Sequence, residues 1–129
     1  MARMLLIGVF AGVVCLFAGC GEKQAAAIPD EKQTALEDVY NLIRIRIDAD
    51  KSAPKKAEDL RPYENAYPRG YAVVKSGEVV VNWGVGPADS SAVLAYQKEV
   101  PSSGGWVLLQ NGKVQQMTAD EFKAAPKAK

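Results

Sequence analysis

The chain has 129 residues, 48% of them hydrophobic, with 16 basic and 15 acidic side chains and a formal net charge of +1. That length allows one domain, and the balanced charge provides neither the basic patch that nucleic acid requires nor an acidic tail. Histidine is absent, which removes imidazole general-base catalysis, Ser-His-Asp triads and the commonest transition-metal ligand together.

Residues 1–19 read as a secretory signal. Arg3 supplies a basic start, and "MLLIGVFAGVVCLFAG", Met4 to Gly19, carries no charge. It is shorter than the roughly 18 to 20 apolar residues of a spanning helix and has the size of a signal-peptide apolar region. The stretch closes on small residues and a cysteine, "LFAGC", ending at Cys20. This resembles the lipobox of bacterial lipoproteins, with Phe17 where the family prefers Leu. The resemblance implies lipid attachment at Cys20, which becomes the new N-terminus, and a membrane as partner through that lipid. Acyl chains contribute about 0.8 kcal/mol per buried methylene, so a diacyl or triacyl anchor holds essentially permanently. Cys15 leaves with the signal, so the mature chain has no second cysteine for a disulfide. Arg3 leaves too, which takes the 16 basic residues to fifteen, equal to the fifteen acidic ones.

Residues 20–29, the lipidated end and "GEKQAAAIP", form a tether. A single α+β domain is expected over 30–125. It begins with a helix at about 30–48, because Leu36, Val39, Tyr40, Ile43 and Ile47 recur at helical spacing, widened by Leu42 and Ile45. Glu37, Asp38, Arg44 and Arg46 form its water-facing back. A short helical turn is expected over Lys56 to Leu60, stopped by Pro62, followed by a turn at "NAYPRG". "YAVVK-SG-EVVVNW" then reads as a hairpin around Ser76-Gly77, with Val79, Val81 and Trp83 on one face. After a loop over Gly84 to Ser91, a third strand is expected from Ala92 to Lys98, and "VPSSGG" serves as a connection.

"GGWVLLQNGKVQQMTADEF" reads as a second hairpin and a capped helix. Asn111-Gly112 suits a two-residue type I′ turn, which pairs Gln110 with Lys113, Leu109 with Val114, Leu108 with Gln115, Val107 with Gln116 and Trp106 with Met117. Thr118 and Glu121 make a capping box for a helix at about 118–124, and 126–129 read as a frayed tail. The element order places the long helix on an antiparallel sheet, whose other face the last helix covers.

Few residues suggest chemistry. Asp48, Asp50 and Ser52 are rich in oxygen, but Pro54 and Asp59 stand where a calcium loop needs Gly and Glu, so they read as a solvated helix end. Asp120 and Glu121 are explained by the helix dipole and capping, and Lys55-Lys56 by solvent. Trp83 and Trp106 could stack on a sugar, yet alternating strand positions favour the core, as does the position of Tyr63, Tyr67 and Tyr71 near a turn. No catalytic residues, metal ligands or cofactor site are expected.

The stretch "LAYQKEVPSSGGWVLLQNGKVQQMTADEF", Leu94 to Phe122, resembles the C-terminal part of pilin-like proteins abundant in planctomycetes, marked by a His, nine residues, then Asp-Gly. Tyr96, Gly104, Gly105, Leu108, Leu109, Gly112, Glu121 and Phe122 occupy matching places, over about thirty residues. A looser likeness to pseudopilin globular domains covers most of the mature chain. Pro101 stands where the His is expected and Asn111 replaces the Asp, while the N-terminus lacks the prepilin pattern. The resemblance implies a fold and no activity. Together these features lead to the expectation of an exported, membrane-anchored, non-enzymatic lipoprotein that binds or scaffolds an unidentified envelope component. The alternative is a cell-wall or carbohydrate-binding module.

Overall fold

The computed structural model describes residues 30–129; the signal-like segment 1–19, Cys20 and the tether up to residue 29 lie outside the described residues. Asp30 has extended backbone, and its carboxylate accepts from the Lys32 N–H at 2.8 Å, so it caps helix α1, Glu31–Asp50. Ala35, Leu36, Val39, Leu42 and Ile43 form the buried stripe of α1, and Lys51 ends the helix in the left-handed region at φ 59°. Arg46 does not stand in open water as its back-face position suggested. Its guanidinium pairs with Asp50 one turn on, and the side chain is largely covered.

A 3₁₀ helix, η1, spans Ala57–Tyr63. Pro62 lies inside it and does not stop it. The bond over that turn runs from the Glu64 N–H to the Arg61 carbonyl at 3.1 Å and needs nothing from the proline nitrogen.

The largest correction concerns Tyr71 to Lys75, expected as a strand but folded as part of helix α2, Pro68–Ser76. Local signals favour this outcome. Pro68 occupies the first turn, where its missing N–H costs nothing, and Gly77 at φ 85° closes the C-terminus. Packing decides it. Gly70, Tyr71 and Val74 are buried at helical spacing, and Gly70 meets α1 so closely that a Cβ there would lie 2.8 Å from the Asp38 backbone carbon. Ser76-Gly77 is therefore a helix end, and "NAYPRG" is a turn only as far as Tyr67.

The four strands β1 (Val79–Val81), β2 (Val93–Gln97), β3 (Gly105–Leu109) and β4 (Val114–Met117) form one antiparallel sheet in chain order. Between β2 and β3, Val100–Ser103 makes a single turn, α3, where an irregular connection was expected. The terminal helix α4 is Ala119–Ala124, and Thr118 Oγ1 accepts from the Glu121 N–H at 3.1 Å, the threonine half of the expected box.

The last hairpin forms, one residue out of the expected register. Trp106 pairs with Gln116 and Leu108 with Val114. Its loop takes three residues, Gln110 to Gly112: the Gly112 N–H donates to the Leu109 carbonyl at 3.0 Å, and the Leu109 N–H to that of Lys113 at 2.9 Å. Gly112 alone in this loop has positive φ, 90°, whereas the expected turn needs two such residues. A slip of one moves every β4 side chain to the other face. Val114 thus joins Leu108 on the α1 side, and Met117 joins Val107 and Leu109 opposite.

A bulge in β2 places both Leu94 and Ala95 on the α1 side, because Val93 opposes Leu109 while Ala95 opposes Leu108. Two cores result. The larger lies between the sheet and α1, α2 and η1, and includes Leu36, Val39, Ile43, Leu60, Leu94 and Leu108. The smaller joins Val93, Val100, Val107 and Leu109 with Phe122 of α4, so the terminal helix does cover the second face. The fold is α+β, with the long helix on an antiparallel sheet. The last residues do not fray: the Val93 N–H donates to the Pro126 carbonyl and the Ala128 N–H to the Val93 carbonyl, each at 2.8 Å.

Candidate binding groove

An open groove of about 520 Å³ lies at one end of the molecule, where the first turns of α1, the side of α2 and the adjoining ends of β1 and β2 meet. Ala35, Val73 and Val79 give it an apolar floor. Its volume falls in the range of small-molecule sites.

Gln97, at the end of β2, is the feature that makes this groove specific. It faces Val79 across the ladder and is 7% exposed, the buried polar side chain among the described residues. Its Oε1 accepts from the Trp106 N–H at 2.9 Å, which fixes the orientation of the amide, because a backbone N–H admits only the oxygen. A Cβ on Gly105 would lie 2.9 Å from the same oxygen, so glycine there leaves room for the bond. Among the described residues nothing accepts from Gln97 Nε2. Among the described residues Arg46 Nε is the wholly buried side-chain polar atom without a partner, so Gln97 Nε2 retains exposure, and Gln97 is one of the residues lining the groove.

The rim is charged in both signs. Lys32, Arg69 and Lys98 contribute cations, and Glu31, Glu78 and Glu99 contribute carboxylates. Lys32 Nζ and Glu99 Oε1 lie 3.6 Å apart and tie α1 to the turn after β2. Beside the groove, partial burial pushes the Asp38 carboxyl above its ordinary value of 3.8; the attraction of Arg69 opposes that shift, and Glu37 adds to it.

The residues singled out in the sequence lie elsewhere. Asp50 is engaged by Arg46 and by the Tyr63 hydroxyl at 3.0 Å, and among the described residues no three acidic or cysteine side chains gather as metal ligands. Asp120 and Glu121 occupy the first turn of α4. Tyr71 is buried, and Tyr63, Tyr67, Trp83 and Trp106 pack half-buried against the larger core. The backbones at the two tryptophans attach at different points along β2: the Asn82 N–H, beside Trp83, donates to the Leu94 carbonyl, whereas the Trp106 N–H donates to Gln97 Oε1. Pro101 lies in the first turn of α3, and Lys55 and Lys56 are exposed. Cys20 lies outside the described residues.

Gln97, Arg69 and Lys98 were not legible as a site. The one available signal was a polar residue ending the apolar run "VLAYQ", but the bulge in β2 hides which face Gln97 takes. No protein-family model, curated protein or solved structure matches the chain.

Proposed function

We propose that the protein is an exported lipoprotein, held at a bacterial membrane through lipid on Cys20, whose domain binds a component of the cell envelope and catalyses no reaction. The observation that carries this reading is the uncharged segment Met4 to Gly19 ending in "LFAGC" behind a single Arg3. Binding, in preference to catalysis, is supported by a groove whose fixed polar group is the amide of Gln97. A neutral amide donates and accepts hydrogen bonds but supplies no acid, base or nucleophile at neutral pH. A pilin-like domain carried on a lipid is the form this proposal takes, supported by a long helix lying on an antiparallel meander. A sugar-binding reading has less support, since it called for Trp83 or Trp106 exposed on a concave surface and both pack half-buried against the larger core.

Growth with labelled palmitate tests the anchor. The wild-type chain is expected to take up label and to shorten on processing, and Cys20→Ala to do neither. Equal labelling of the two chains would overturn the proposal.

A further inference from the structure

We infer that the groove binds a short zwitterionic peptide, with Gln97 Nε2 donating to its terminal carboxylate. The inference rests on the binding reading above and names the class of ligand. Gln97 is more than nine-tenths buried, yet half of its amide is committed to Trp106 and the other half is presented to the groove. Gln97 Nε2 is held in place by the bond on Oε1 and has no acceptor among the described residues, and a carboxylate oxygen entering the groove would give it a charge-assisted bond in place of water. Lys98, the next residue in the chain, also lines the groove and adds a cation.

A simple anion does not account for the rest of the rim. With Lys32 and Glu99 occupied by each other, Arg69 and Lys98 remain as cations, and Glu31 and Glu78 remain as carboxylates. A ligand of one sign would be opposed by half of these groups, whereas one bearing an ammonium and a carboxylate is matched at both ends. The floor of Ala35, Val73 and Val79 suits small apolar side chains between the two charges.

The test titrates trialanine, trialanine C-terminal amide and N-acetyl-trialanine into the ¹⁵N-labelled full chain in detergent micelles, following the Gln97 side-chain NH₂ resonances. Trialanine is expected to shift them saturably, and the amide and the acetylated peptide to bind at least tenfold more weakly. Gln97→Glu retains an oxygen for the Trp106 N–H, exchanges the free donor for an acceptor, and is expected to weaken trialanine at least tenfold. Lys98→Gln lies on the exposed rim, leaves the core untouched, and is expected to weaken it several-fold. Equal binding of the amide would overturn the role of Gln97. Equal binding of the acetylated peptide would instead indicate the end of a protein chain and overturn the zwitterion. If trialanine leaves the resonances unmoved while a photocrosslinker at position 98 captures an envelope component in cells, the ligand class falls and the binding reading stands. If neither experiment responds, both fall.

Discussion

Asp38 shows how a single residue can oppose the fold that holds it. It stands on α1 where Gly70 of α2 crosses, and its carboxyl is pushed above 3.8 chiefly by burial, against the attraction of Arg69. A carboxyl whose folded value is raised binds its proton more tightly in the native state, so stability is lost as pH rises through that folded value. Asp38→Asn is therefore expected to melt at a higher temperature than the wild type at pH 7, with the advantage gone below pH 3.8. Melting curves at pH 3.5 and pH 7 check this; a variant that loses ground to the wild type on going to pH 7 would show that Arg69 outweighs burial. Asp59 is the opposite case. The Lys55 N–H, 2.8 Å from its carboxylate, holds that group below 3.8, so its contribution is present at neutral pH and is lost only in acid.

At the scale of elements, the crossing of α1 and α2 depends on one missing side chain. A Cβ at Gly70 would lie within 2.9 Å of Asp38 and of the Val39 nitrogen, all on the neighbouring helix, where backbone cannot yield as a flexible side chain can. Alanine has the better helix propensity by about 1 kcal/mol, but overpacking of this kind costs roughly 1–3 kcal/mol. Gly70→Ala is accordingly expected to destabilise the protein by up to about 2 kcal/mol. Urea denaturation measures it, and a more stable variant would mean that the two helices separate freely. The same crossing explains why "YAVVK" is not a strand. Its valines suit a sheet, but Gly70, Tyr71 and Val74 fit the groove beside α1 only when wound at helical spacing.

The whole molecule is closed by its last residues. Pro126 and Ala128 satisfy both main-chain groups of Val93, a residue with no exposed surface, and Lys127 Nζ bonds the Phe122 and Ala125 carbonyls at 2.5 and 2.6 Å at the end of α4. Deleting residues 126–129 uncovers Val93 and frees α4, which covers the smaller core. The Val93 N–H loses its partner while the Val93 carbonyl keeps Asn82 Nδ2 at 2.8 Å, so the shortened chain is expected to lose on the order of 1 kcal/mol from this bond, with the loosened packing of α4 in addition. The midpoint in urea should fall, and near-ultraviolet circular dichroism should weaken as Tyr96 and Phe122, 4.6 Å apart, loosen. An unchanged midpoint would assign these residues no part in the core.

By itself the sequence determined what depends on neighbours along the chain. The stripe of α1, the Thr118 cap, the strand that holds Gln97 and the existence of a hairpin near Gly112 all follow from local spacing, so an α+β order could be read directly. Tertiary structure decided what depends on partners far away. The three-residue loop set which β4 side chains meet α1, the tight approach at Gly70 turned a valine-rich segment into α2, and Val93 recruited a tail that is short and polar on its own. The groove belongs to this second group. Ala35, Arg69, Val79 and Gln97 stand on four different elements, and nothing in their sequence spacing brings them together. Only closure of the helices over the sheet places an amide, an apolar floor and a rim of both charges around one space.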